Sequence, residues 1–125
     1  MQTETILPDP GDFAPVIAPP APQPDPRLVL VAGLLQFATG VSADLVIDVR
    51  HKGRAATRVR HIAMYLFATV YGEAAHRTAA LFGRDRSTVL HALRRIEEDR
   101  SNPAFDAWLG GLETALFAAP RGGRA

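Results

Sequence analysis

Eight of the ten prolines in this 125-residue sequence lie within its first 26 residues. Proline fixes φ and lacks a backbone N–H, so a segment this rich in proline forms neither a helix nor a central strand. We therefore predict a disordered, Pro-rich head at residues 1–25, one folded domain at 26–118 and a flexible tail at 119–125. A domain of this size has room for one modest core, which argues against a large catalytic cleft between lobes.

The absence of cysteine excludes disulfides, thiolate metal sites and a cysteine nucleophile. The acidic, Pro-broken N-terminus does not resemble a secretory signal. The longest apolar run, from Leu28 to Leu35, is far shorter than the roughly 20 residues that span a bilayer. We therefore expect a cytoplasmic protein without a membrane partner.

Basic residues are concentrated in the middle of the chain. The first 26 residues contain four acidic residues and no Lys or Arg, whereas the segment from Arg50 to Arg95 holds ten basic residues and two acidic ones, a local charge of +8. Such a concentration on a small domain is typical of a protein that binds a polyanion. A merely solvated surface would explain scattered charge better than this asymmetry.

Cap residues and glycines divide the domain into helices and predict an all-α fold. The longest predicted helix, Ala55 to Tyr71, has a buried stripe of apolar residues at helical spacing: Val59, Ile62, Ala63, Leu66 and Val70. The other predicted helices run from Pro26, after Asp25, to near Gly40; from Ser42 through Ile47; over Ala74 to Phe82; from a cap at Asp85 or Ser87; and from Asn102-Pro103 onward. An Arg-rich loop is predicted from Arg50 to Arg54, around Gly53.

Two of these helices, separated by a turn at Gly83, predict a helix-turn-helix from about Ala74 to Asp99. We expect the second helix to turn Val89, Leu90, Leu93 and Ile96 inward. Its outer face would carry Ser87, Thr88, His91, Arg94, Arg95 and Glu98. Hydroxyls and arginines near the N-terminus of such a helix are suited to reading base edges.

Two stretches also resemble a known family: RVRHIAMYL at 58–66 and FGRDRSTVLHA at 82–92, followed by RIE at 95–97. They are similar to the C-terminal, TrpR-like DNA-binding domain of DnaA, the bacterial chromosomal replication initiator, over about residues 27–100. The resemblance implies a helix-turn-helix that binds double-stranded DNA at DnaA boxes, in a nucleoid-associated protein that regulates replication initiation or transcription.

The resemblance also implies roles for individual residues. The residues that would face bases are Asp85, Arg86, Ser87 and Thr88, and those near phosphates would be Arg60, His61 and His91. Lys52 falls where the family has a minor-groove arginine, and Arg50 or Arg54 could substitute for it.

Several residues depart from the family pattern. The family has two glycines before Arg-Asp and a histidine after them, whereas this chain has Gly83 alone and Arg86. Arginine at that position can reach O6 and N7 of guanine, which would change the preferred base. The family's apolar contact to thymine corresponds here to Ala75 and His76.

Other classes of function are less well supported. The spacing of the four histidines does not predict a metal site, no cofactor is expected, and Ser87 with His91 lacks an orienting carboxylate for catalysis. Lys52, the sole lysine, follows His51, so the chain has no Gly-Lys-Ser/Thr P-loop and is not expected to act as a complete initiator. The rival hypothesis is a protein-interaction adaptor that has lost box reading and holds a partner through its apolar stripe and Pro-rich head. Trp108 is assigned to the core rather than to a dimer seam, and the oligomeric state stays open.

Overall fold

The structure, a computed structural model, describes residues 25–48, 50 and 53–120. These residues form six helices and no strand, which confirms the all-α prediction. The helices are α1 (Pro26–Thr39), α2 (Ala43–Ile47), α3 (Arg54–Tyr71), α4 (Ala75–Phe82), α5 (Arg86–Asp99) and α6 (Pro103–Ala118). The head predicted at 1–25, apart from Asp25, and the tail from residue 121 lie outside the described residues.

Short polar side chains cap the N-termini of three helices at the predicted residues. The side chains of Asp25, Ser42 and Asn102 each accept a hydrogen bond from a backbone N–H in the first turn of the helix that follows. Glycines in the left-handed conformation end α1, α3 and α4. Two helix starts differ from the prediction by one residue. Helix α3 begins at Arg54, which takes this residue out of the loop, and α4 begins at Ala75.

Helix α3 is the centre of the domain and packs against each of the other five helices. The predicted stripe is buried, and so are Met64, Tyr65 and Phe67 on its other faces. Because other helices surround α3, this helix buries more residues than the predicted apolar stripe contains. Both helices of the helix-turn-helix pack against this helix.

Two large apolar residues lie further out than the sequence predicts. Leu90 was predicted to point inward but is 37% exposed, while Ala92 is fully buried beside Val89 and Ile96. The three buried residues repeat at three- and four-residue spacing, and Leu90 lies about 100° around the helix from Val89. Trp108 was assigned to the core but is 36% exposed, with its ring centroid 5.8 Å from that of Phe105.

Arg100 fixes the C-terminal end of α5. Its guanidinium donates hydrogen bonds to Asp106 and Glu113 of α6 and to the Tyr65 hydroxyl of α3, which itself donates to Glu97. Three helices are therefore joined at one end of α5, whereas its N-terminal turn carries exposed side chains. Among the described helices, none is both long and apolar enough to cross a membrane.

Candidate nucleic-acid interface

A turn of three residues, Gly83, Arg84 and Asp85, joins α4 to α5. Gly83 has φ of 66° and its N–H donates to the carbonyls of Ala79 and Ala80, while the Arg84 N–H donates to the Ala79 carbonyl over 2.9 Å. A left-handed residue after the last helical position satisfies carbonyls that the helix leaves unpaired. Gly83 thus closes α4 without a second glycine, and the shortened turn still permits a helix-turn-helix.

Asp85 caps the N-terminus of α5. Its Oδ1 accepts hydrogen bonds from the Thr88 N–H over 2.8 Å and from the Ser87 hydroxyl over 3.1 Å. Hydrogen bonding to Thr88 and then to Ser87 lowers the pKa of Asp85 from its ordinary value, so the cap is ionised at neutral pH. The structure therefore brings the four predicted base-facing residues into one turn, where Arg86 and Ser87 are exposed and Thr88 is half-buried.

A second feature is an open groove of about 460 Å³ between the start of α3 and the middle of α5, which we call the basic groove. Its lining consists of Gly53, Arg54, Thr57, Arg58, His61, His91 and Arg95. Asp99 positions two of these cations, since one carboxylate oxygen lies 2.8 Å from Nη1 of Arg58 and the other 3.5 Å from Nε of Arg95. The Arg58 guanidinium also lies over the Phe105 ring, 5.2 Å from its centroid. The groove is thus a concave, positively charged surface that suits an anion.

The two predicted phosphate-contacting histidines meet in this groove. The ring centroids of His61 and His91 are 6.4 Å apart, in an edge-to-face arrangement. Burial, followed by repulsion from His91 and from the arginines around it, lowers the pKa of His61 from its ordinary value. In the free protein, His61 is therefore mainly neutral at pH 7.

This lowered pKa gives a prediction for stability. The folded state binds fewer protons at His61 than the unfolded state does, so this residue's contribution favours folding less as pH falls below its ordinary pKa of 6.5. We expect the melting temperature to fall between about pH 7.5 and pH 5.5, and to fall less in His61→Gln. Thermal unfolding followed by circular dichroism measures both, with His76→Gln on the exposed face of α4 as the control. An equal fall in wild type and His61→Gln would contradict the assignment.

The structure corrects the prediction for Arg60. This side chain is only 1% exposed, and its Nε donates to the Val46 carbonyl while Nη2 donates to those of Leu45 and Asp48. These carbonyls lie at the C-terminal end of α2, where a cation is favoured by the helix dipole. Arg60 therefore holds α2 against α3 and does not face a phosphate.

The remaining predicted residues have different outcomes. Arg54 lines the basic groove, from the first position of α3, while Lys52 lies outside the described residues. Arg58 was not among the predicted contacts, and Arg95 was placed only on the outer face of α5. A signal for both was present, because Arg54, Arg58 and His61 are four and three residues apart, and His91 and Arg95 are four apart. No cluster of three or more potential metal ligands occurs within the described part of the chain.

Comparisons with known proteins agree with this geometry. Residues 39–96, from the end of α1 to Ile96 in α5, match the family model described as the bacterial DnaA protein helix-turn-helix. The fold is also similar to that in the crystal structure of a DNA replication initiation factor, with a TM-score of 0.65 and 27% sequence identity. That match covers 73% of this chain and 28% of the initiation factor, so the chain corresponds to only a part of that protein. The geometry, the family model and the solved structure thus agree on a helix-turn-helix similar to that of the bacterial DnaA protein at residues 39–96.

Proposed function

We propose that this protein binds double-stranded DNA by placing the N-terminal turn of α5 in the major groove. The observation that carries the proposal is the exposure of Arg86 and Ser87 on that turn, on the same helix that contributes His91 and Arg95 to the basic groove. A recognition helix reads base edges with the residues of its first turns. The positive end of the helix dipole lies at this turn and favours the approach of DNA.

The two parts of the surface would have different tasks. Arg86 carries planar donors that match O6 and N7 of a guanine, and the Ser87 hydroxyl can donate to or accept from a base. The arginines of the basic groove would contact backbone phosphates, which orient the domain without reading sequence. His61 and His91 lie in the same groove and would add contacts to the DNA backbone.

We further propose that the preferred sites resemble DnaA boxes, with a changed base preference because Arg86 occupies the position after Arg84-Asp85. Binding at such sites would regulate replication initiation or transcription without hydrolysis of ATP by this domain, in a protein associated with the nucleoid. The match of residues 39–96 to the family model of the bacterial DnaA helix-turn-helix supports this proposal.

Fluorescence anisotropy tests the proposal with a DnaA-box duplex and a scrambled duplex of equal length. We expect tighter binding to the box, and a steep loss of affinity to both duplexes between about 50 and 200 mM salt as counterion release weakens. Equal, salt-sensitive affinity for the two duplexes would contradict box preference but retain DNA binding. Failure to bind any duplex would overturn the proposal.

The adaptor hypothesis keeps one supporting observation. The outer face of α1 is apolar and solvent-exposed, with Phe37 91% exposed and Val29 47% exposed. Exposed apolar faces of this kind are typical of protein contact sites. The same anisotropy experiment separates the hypotheses, because an adaptor without box reading would bind neither duplex.

A further inference from the structure

Leu90 has an unusual position for a leucine in this domain. Its side chain is 37% exposed. Val89 and Ala92, which lie on the inner side of the same turn of α5, are fully buried. Leu90 lies four residues after Arg86 and four before Arg94, and both arginines are exposed. Residues four apart lie on one ridge of a helix, so Leu90 is an apolar side chain between two cations on the surface that the proposed function turns toward DNA.

We propose that Leu90 is a specificity-determining residue that contacts the 5-methyl group of a thymine in the major groove. This inference rests on the proposed function and assigns Leu90 a preference for T·A pairs. In the major groove, base pairs present hydrogen-bonding groups and, at thymine alone among the four unmodified bases, a methyl group. An apolar side chain gains from contact with that methyl, whereas it would leave the polar edge of a G·C pair desolvated and unpaired.

The helix geometry indicates where the thymine lies. Leu90 is about 6 Å along the helix axis from Arg86, since each residue advances the axis by about 1.5 Å. Successive base pairs are about 3.4 Å apart along the DNA. For a helix lying along the groove, Leu90 thus reaches a pair about two steps from the one that Arg86 reads. The preferred site would combine a guanine with a thymine at this separation.

Replacement of thymine by deoxyuridine tests the contact, because uracil lacks only the methyl group and keeps the same hydrogen-bonding edge. The preferred site is first selected from a random duplex library with the wild-type protein, and then prepared with thymine or with deoxyuridine throughout. We expect deoxyuridine to weaken wild-type binding about fourfold for the thymine contacted, as loss of one buried methyl predicts. Leu90→Ala should bind the two duplexes with nearly equal affinity.

Leu30→Ala is the matched control, since Leu30 is also 37% exposed but lies on α1. This variant should retain the wild-type difference between thymine and deoxyuridine duplexes. Thermal unfolding of both variants checks that each is folded at the assay temperature. A merely structural role for Leu90 would not change the response to the DNA methyl group.

The other outcomes would overturn either the role of Leu90 alone or DNA binding as well. Equal wild-type affinity for the two duplexes, or the same ratio of affinities in Leu90→Ala as in wild type, would overturn the role of Leu90 while DNA binding stands. Failure of the wild-type protein to select or bind any duplex would overturn the proposed function and this inference with it.

Discussion

Replacement of Arg86 with alanine is expected to weaken binding to the preferred duplex about 5- to 150-fold, corresponding to a loss of about 1 to 3 kcal/mol. The side chain is exposed at the first position of α5, so we expect its loss to leave α4, α5 and the turn between them unchanged. The variant loses the binding free energy of two hydrogen bonds from Arg86 to one base. The protein should therefore also discriminate less between bases at that position of the site. Competition anisotropy with single-base variants of the selected site measures both effects.

Arg95→Ala is the control for this prediction, because Arg95 is on the same helix but lines the basic groove. A phosphate contact carries no sequence information, so this variant should weaken binding to all duplexes by a similar factor and reduce the salt slope by about 1. If Arg86→Ala also weakened all duplexes equally, Arg86 would be a phosphate contact. Unchanged affinity in Arg86→Ala would remove it from the interface.

Replacement of Arg60 with methionine is expected to lower the free energy of unfolding by about 3 kcal/mol. Methionine retains most of the buried volume but cannot donate hydrogen bonds, so the carbonyls of Leu45, Val46 and Asp48 would lose the donors that they have in the wild type. Buried acceptors without partners are costly. Urea denaturation followed by circular dichroism gives the free energy directly.

Arg54→Met is the control, because Arg54 is exposed at the start of the same helix and should change stability by less than about 0.5 kcal/mol. The pair of variants also separates stability from DNA binding. At a temperature where both are folded, Arg54→Met should bind DNA more weakly, as expected for a residue of the basic groove. A stable Arg60→Met protein with weakened DNA binding would instead support the phosphate contact that the resemblance implied for Arg60.

The helices were predictable because their ends are marked by local chemistry. Asp25, Ser42 and Asn102 precede helices that their own side chains cap, and Gly40, Gly72 and Gly83 end helices in a conformation that other residues rarely adopt. Burial depends instead on which helices are neighbours. Tyr65 and Phe67 are buried because α3 is enclosed on several sides, and no pattern within α3 contains that information.

The same distinction between local sequence and packing applies to the site. Asp85 to Thr88 are consecutive, so one correctly placed helix start brings them together. Arg60 was assigned wrongly because its partners are carbonyls near the end of α2, more than ten residues away in sequence, and backbone acceptors have no signature in side-chain sequence. The basic groove joins α3 to α5, and only their relative placement shows that His61 and His91 face one opening.

The alternation of positions along α5 has an evolutionary consequence. Val89, Ala92 and Ile96 secure this helix to the domain, whereas Arg86, Ser87 and Leu90 are solvent-exposed between and before them. Substitutions at the exposed positions should cost little stability, because few core contacts depend on them. A duplicated copy of such a domain can therefore acquire a new set of target sites by a few tolerated changes, while the same scaffold is inherited intact.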